Sequence, residues 1–294
     1  MAAAPRAGVI GLGIIGSRVA ARLAAAGFPL SVWNRTPREF PGVPAPARDP
    51  AAVAENSDIV QIFVADDAAL RETLEKMLPS LGPHHVLLCH ATVAPQTVRE
   101  MADLTASRGA TLLDAPFTGS RDAAAQGQIT YYIGGDDAAL ERARPVLQAS
   151  AKAIIALGEV GTASAVKIAT NIMAAAAAVS LAEAVNLLRA NGVDPGILPA
   201  VLENNAARSG VTDLKLPCML AGEFAPRFSA KNMRKDLRLA CEAAAPGQRK
   251  LSEAMLHLYD TACDAGLSEE DFAAVVKVSS STPLKTESSL RNRP

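Results

Sequence analysis

The stretch "AGVIGLGIIGSRVAARLAAAG", residues 7–27, decides how the first half of the chain is read. "AGVIGL" is an unbroken apolar run, as a strand covered on both faces would be, and "IIGSRVAARLAAAG" reads as a helix ending at Gly27. Between them Gly11, Gly13 and Gly16 stand in the G-x-G-x-x-G spacing. Alone that spacing is a weak signal; after a strand and opening a helix it reads as a dinucleotide-binding turn. The glycines permit a tight turn, close approach of backbone to a pyrophosphate, and helix-on-sheet packing, while the helix N-terminus attracts the phosphates. Gly11, Leu12, Gly13, Ile14, Ile15 and Gly16 are therefore the candidate cofactor turn.

The next strand, "PLSVWN", runs into Asn34, Arg35 and Thr36. A site for NAD usually places an acid there to bind the ribose hydroxyls. A guanidinium and a hydroxyl instead suit a 2′-phosphate, which arginine meets as a fork. The expected cofactor is NADP(H) in preference to NAD(H).

Strand and helix patterns continue to alternate. "DIVQIFV" and "HHVLLCHA" are strands followed by the helical "DAALRETLEKML" and "PQTVREMADLTASRG"; then come "ATLLDAP", "ITYYIGG", the helix "DAALERARPVLQAS" and the strand "KAIIALG". Apolar strands interleaved with helices imply an α/β, doubly wound, mostly parallel sheet covered on both faces. The segment "TPREFPGVPAPARDPAAVAENS" holds five prolines and is expected to be a loop with one short helix from Pro50.

From residue 162 the pattern is helical only. "SAVKIATNIMAAAAAVSLAEAVNLLRANG" predicts a helix of about 28 residues, roughly 42 Å long, stopping at Asn191-Gly192. Being apolar on most faces, it is expected to be buried under other helices or against a partner subunit. "GILPAVLENNA", "TDLKLPCMLAG", "AKNMRKDLRLACEAAA", "RKLSEAMLHLYDTACDAG" and "SEEDFAAVVKV" follow as further helices. The expected organisation is a Rossmann-type cofactor domain over 1–161, an all-helical substrate and dimerisation domain over 162–278, and a polar, disordered tail over 279–294.

The 294 residues are 49% hydrophobic and 20% charged, enough to bury two cores. Lys and Arg (29) nearly balance Asp and Glu (30), so no global field points to nucleic acid or a membrane surface. Cys89, Cys218, Cys241 and Cys263 share no metal-ligand spacing and are expected to be reduced residues of a cytoplasmic protein, with no metal site. The start lacks a signal-peptide pattern, and the apolar run 168–182, between Lys167 and Glu183, falls short of the roughly 20 residues of a span.

"GEVGTASAVKIATN", residues 158–171, sets Lys167 among small apolar neighbours, with Asn171 one turn on and Thr162 or Ser164 as candidate caps. Lysines on helices are usually solvated, so this setting calls for a reason.

Taken together, "GVIGLGIIG", "VWNRT", "HATVAP", "DAPFTGSRDAAAQGQI", "GEVGTASAVKIATN" and "FSAKNMRKDLRLA" resemble the β-hydroxyacid dehydrogenase family, the 3-hydroxyisobutyrate dehydrogenase-like group, over residues 7–276. The resemblance implies that Lys167 is the catalytic lysine, Asn171 its helical partner, and Thr118-Gly119 the substrate-carboxylate site. It implies too that Thr92 contacts the nicotinamide end. Phe228, Lys235 and Asp236 would border the site from the helical domain, with Lys235 near the cofactor and Phe228 and Asp236 on the substrate. Such proteins carry a cofactor domain joined by a long helix to a helical domain, and a homodimer or homotetramer is expected. "WNRT" and "KDLRLA" tilt the resemblance toward glyoxylate/succinic semialdehyde reductases. Thr118 and Ser120 replace the usual serine and glycine, Ala163 a glycine, Thr170 an asparagine, and Ala91 the serine before Thr92.

Hydride addition to an aldehyde leaves negative charge on oxygen, which needs a proton and an electrostatic partner. A lysine ammonium supplies both, given a pKa brought down from about 10.4 by apolar neighbours or another cation. The expected activity is NADPH-dependent reduction of a small carboxylate-bearing aldehyde or keto acid to the hydroxy acid. The alternatives are oxidation of a 3-hydroxy acid of the 3-hydroxyisobutyrate type, reduction of an imine, or a non-catalytic dinucleotide-binding oligomerisation module. Imine reductases resemble this architecture but typically replace the lysine, so the resemblance, with Lys167 kept, implies a carbonyl substrate. Arg121 is read as a surface charge, His84 and His85 as turn residues, His90 as the second candidate acid/base, and Asp67, ahead of Asp66, as the cap of the following helix.

Overall fold

The computed structural model describes residues 4–36, 38–245 and 247–279; of the polar tail, residues 280–294 lie outside the described residues. The chain forms two compact units, Met1–Ala169 and Thr170–Pro294.

The first unit is built on β1 (Ala7–Ile10), α1 (Gly16–Ala25), β2 (Leu30–Trp33), α2 (Pro50–Glu55), β3 (Ile59–Ile62), α3 (Asp67–Met77), β4 (Val86–Cys89), α4 (Pro95–Ala106) and β5 (Thr111–Asp114). Its five strands pair in parallel in the order β2-β1-β3-β4-β5. Strands β1, β3 and β4 are buried at every residue because both sheet faces are covered. Alternation divides them: Val9, Ile59, Val86 and Leu88 pack into one core, Ile10, Val60, Ile62 and Leu87 into the other. Strand order reverses at β1 and β3, so the first glycine turn opens at the switch point where such sheets bind ligands.

The later strands do not extend this sheet. Strand β6 (Phe117–Thr118), helix α5 (Arg121–Ala125), strand β7 (Ile129–Ile133), helix α6 (Asp137–Gln148) and strand β8 (Ala151–Ala156) form a second sheet ordered β6-β7-β8. β6 runs antiparallel to β7, and β7 parallel to β8. Pro116, which has no N–H to give a ladder, follows β5 and separates it from β6. A single antiparallel bridge, Asp114 to Gly134, joins the sheets.

Helix α7 spans Thr162–Ala190 and Gly192 follows it at φ +70°, as the Asn-Gly stop predicts. It is the one helix among the described residues long and apolar enough by composition to cross a membrane. Ala175, Ala178, Val179, Leu181, Ala182 and Val185 instead pack in the core of the second unit, while Met173 (71%) and Leu187 (64%) are exposed. One face of α7 is thus buried under the other helices of its unit, and the face carrying Met173 and Leu187 is exposed in the single chain. Helices α8 (Leu198–Leu202), α9 (Gly210–Ala221), α10 (Ala230–Ala243) and α11 (Lys250–Ala262) follow.

Three local expectations change. "SEEDFAAVVKV" forms a 3-10 helix over Phe272–Lys277, begun where Asp271 accepts a hydrogen bond from the Ala273 N–H two residues on. Asp66, extended at φ −157°, caps α3 through the Ala69 N–H; Asp67 is already helical and accepts from the Ala94 N–H. The start of α7 is capped by neither Thr162 nor Ser164: the Ser164 hydroxyl donates to Asp114, whose carboxylate supplies the cap.

Candidate active site

The glycine turn divides its labour among three residues. A Cβ on Gly11, at φ +90°, would lie 2.0 Å from the Phe63 carbonyl oxygen, and one on Gly16 2.0 Å from that of Gly11. Both glycines are required by the protein's own packing. A Cβ on Gly13 would meet nothing within 4 Å, so this glycine leaves open space above the turn. That is the approach a pyrophosphate needs. Leu12 N–H donates to Asn34 Oδ1 (2.8 Å) and Asn34 Nδ2 to the Thr36 carbonyl (2.7 Å), tying the turn to the end of β2. Ile14 and Ile15 complete the turn into α1, with Ile14 exposed.

Gly11, Gly13, Asn34, Arg35 and Thr36 line one groove of about 510 Å³ together with Trp33, Phe63, Asp66, Glu72 and Lys76. Lys76 Nζ pairs with Glu72 at 2.6 Å, and this hydrogen bond, with Arg35 adding its charge, holds the Glu72 carboxyl below the usual range. An open glycine, a helix N-terminus and exposed cations at the far end fit a pyridine dinucleotide.

Behind the groove Phe63 stacks on His90 at 4.4 Å, with Tyr131 5.0 Å from the same imidazole. His90 is buried, donates from Nδ1 to the Ala115 carbonyl (2.6 Å), and faces the Gln61 amide from Nε2 at 2.9 Å. Burial pushes its pKa down to about 3. Burial disfavours the charged ring and both ring nitrogens face internal partners, which argues against His90 as the acid. His85 is also buried and serves the fold: Nδ1 accepts from Gly82 N–H and Nε2 donates to the Ala54 carbonyl.

Thr118 and Gly119 are exposed just beyond the buried end of β5, with Thr118 paired to Thr130 in the short second sheet. Ser120 caps α5 by accepting from the Ala123 N–H, a reason for serine where the family pattern has glycine. Arg121 is exposed and pairs with Asp122 at 3.0 Å. Thr92, half-buried, stands three residues past β4.

On α7, Lys167 is half-buried and Asn171, one turn on, is 8% exposed. In the second unit Asn171 Nδ2 donates to Asp236 Oδ2 at 2.5 Å, and Asp236 Oδ1 lies 2.8 Å from Lys235 Nζ. Asp236 is 2% exposed; Oδ2 accepts from Asn171, while Oδ1 is within ion-pair distance of Lys235 but accepts no hydrogen bond among the described residues. Phe228 is half-buried and meets Phe272 edge-on at 6.0 Å. The structure thus collects five of the cofactor residues in one groove and Asn171, Lys235 and Asp236 in one cluster. Sequence reasoning missed Phe63, Glu72 and Lys76 in the groove, and Asp114. Only Asp114 left a signal, as an acid closing the apolar strand "TLLD". Among the described residues no group of acids, histidines and cysteines is arranged to hold a metal.

A doubly wound sheet with this turn at its switch point, followed by a helical unit, defines a pyridine-nucleotide-binding protein. Two family models match: the NAD binding domain of 6-phosphogluconate dehydrogenase over residues 6–158, and the NAD-binding domain of NADP-dependent 3-hydroxyisobutyrate dehydrogenase over residues 161–279. The chain belongs to the β-hydroxyacid dehydrogenase family. It is 31% identical to the chloroplastic glyoxylate/succinic semialdehyde reductase 2 of Arabidopsis thaliana, over 92% of this chain and 78% of that one. It is 29% identical to the NAD-dependent L-serine dehydrogenase of Pseudomonas aeruginosa, over 92% and 96%. Among solved structures, 3-hydroxyisobutyrate dehydrogenase of Mycobacterium tuberculosis with L-serine superposes with a TM-score of 0.84 at 26% identity, covering 94% and 99%.

Proposed function

We propose that the protein is an NADPH-dependent reductase of small carboxylate-bearing aldehydes or keto acids, of the glyoxylate or succinic semialdehyde type. The observation that carries this is Asn171, one turn beyond Lys167 along α7, giving its amide to Asp236. With its NH2 end given to Asp236, Asn171 presents its carbonyl oxygen to a donor, either the lysine or a substrate hydroxyl. Lys167 protonates the substrate oxygen as charge develops there. The Thr118 hydroxyl and neighbouring backbone N–H groups hold the carboxylate, which orients the carbonyl carbon for attack. The bound dinucleotide supplies the hydride. Asn34, Arg35 and Thr36 support NADPH over NADH, since Arg35 and Thr36 are exposed in the groove and no acid stands among the three residues that follow β2.

The names of the relatives favour one second reading, oxidation of a 3-hydroxy acid with a 3-hydroxyisobutyrate or L-serine skeleton. The exposed apolar side chains Met173 and Leu187 on α7 support assembly as a homo-oligomer. The test is a steady-state screen of semialdehydes, keto acids, 3-hydroxy acids and cyclic imines with both cofactors. NADPH-linked reduction of a semialdehyde or keto acid is expected. A clear NAD preference sinks the cofactor assignment, and no turnover with any carbonyl sinks the reductase.

A further inference from the structure

Asp114 closes β5 and is completely buried. Its carboxylate accepts three hydrogen bonds from the start of α7: Gly161 N–H (3.0 Å) and Ser164 N–H (2.8 Å) to Oδ2, and the Ser164 hydroxyl (2.7 Å) to Oδ1. The first N–H groups of a helix have no partner within it, and the helix end carries partial positive charge. Here an acid from a distant strand answers both. Burial pushes the Asp114 carboxyl up, while the three donors and the charge of Arg99 from α4 oppose that. Gly161, at φ +92°, lets the Arg99 guanidinium approach; a Cβ there would lie 2.8 Å from it.

The main chain at the same place joins the other site segments. Asp114 N–H donates to the Gly134 carbonyl and Gly134 N–H returns the bond. Ala115 N–H donates to the Cys89 carbonyl at the end of β4, the strand that leads to Thr92, and the Ala115 carbonyl receives His90. Thr118, which ends β6, and Gly119 follow Asp114 by four and five residues.

We propose that Asp114 is a positioning residue that fixes the first turn of α7, and with it Lys167, against the Thr118-Gly119 loop leaving its own strand. The proposal rests on Lys167 being the proton donor. Lys167 lies three residues beyond Ser164, roughly 4.5 Å along the helix axis, so a frayed first turn displaces it directly. A misplacement of about 1 Å costs on the order of 100-fold in rate.

The experiment is a double-mutant cycle in single-turnover NADPH oxidation, using the full chain, Asp114→Asn, Lys167→Ala and the double variant. KM and the dissociation constant of NADPH are measured alongside. Asp114→Asn is expected to lower the rate on the order of 100-fold, with KM and NADPH affinity within about threefold. In the Lys167→Ala background the same change is expected to cost less than about threefold, because the group it positions is gone. An undiminished penalty in that background, or a normal rate in Asp114→Asn, overturns the proposal. If Asp114→Asn does not fold, Ser164→Ala, which removes one of the three donors, enters the same cycle with the same criteria and a loss on the order of tenfold. Indistinguishable rates for Lys167→Ala and the unaltered protein would instead refute the assignment of the proton donor.

Discussion

The second unit holds a buried ion pair whose rupture has a calculable consequence. Lys215 (6% exposed) reaches both oxygens of Asp271 (2% exposed), at 2.7 and 2.9 Å, and its ammonium lies 4.2 Å from the centroid of the Phe272 ring. Asp271 also accepts from the N–H groups of Arg227 (3.0 Å), Phe228 (3.3 Å) and Ala273 (3.0 Å). Removing one member of such a pair costs about 3–5 kcal/mol, because the other is left charged and buried. The two sides are not equivalent. Lys215→Met leaves Asp271 with three N–H donors and refills the space, so about 3 kcal/mol is expected; Asp271→Asn strands the ammonium and belongs near 5. At roughly 2–4 °C per kcal/mol, thermal midpoints fall by about 6–12 °C and 10–20 °C respectively. Midpoints followed by circular dichroism test this. An Asp271→Asn midpoint within 2 °C of the parent, or a larger loss in Lys215→Met, would refute the reasoning.

His90, with its pKa near 3 against 6.5 when free, gives the fold an acid-sensitive component. Between those values the unfolded chain binds the proton first, so the stability is intact above about pH 6.5 and is lost as pH falls toward 3. At about 1.4 kcal/mol per unit that is roughly 3 kcal/mol by pH 4.5. Urea titrations at pH 7 and 4.5 should show this loss shrinking in His90→Asn; an unchanged loss contradicts the assignment. Gly11→Ala and Gly13→Ala should separate packing from binding. The first drives a Cβ to 2.0 Å from the Phe63 carbonyl and should lower the thermal midpoint by several degrees. The second meets open space and should leave the midpoint alone while weakening NADPH binding by about tenfold or more, read by fluorescence titration.

The parallel sheet was legible because β1, β3 and β4 are buried on both faces and apolar apart from Gln61, and α7 because its apolar run ends at Asn-Gly. The cofactor turn could be placed from glycine spacing and its strand-helix context alone. Lys167 and Asn171 drew notice as polar residues in an apolar run, yet their roles came from resemblance. What escaped the sequence were contacts across distant segments. Nothing local shows that Asp114 caps a helix about 50 residues away, or that Asp236 is turned toward Asn171. The burial of His90 beside Phe63 and Tyr131 could not be read from its place at a strand end. The 3-10 helix over Phe272–Lys277 has a helical composition but takes its geometry from Asp271, itself fixed by Lys215.

The most direct test of the account is Lys167→Ala, with turnover and NADPH affinity measured on the same preparation. General acid catalysis contributes typically 100- to 10,000-fold, so a loss of about that size in kcat is expected, with the NADPH dissociation constant changed by less than about twofold. A near-normal kcat would contradict the account and place the proton donor elsewhere.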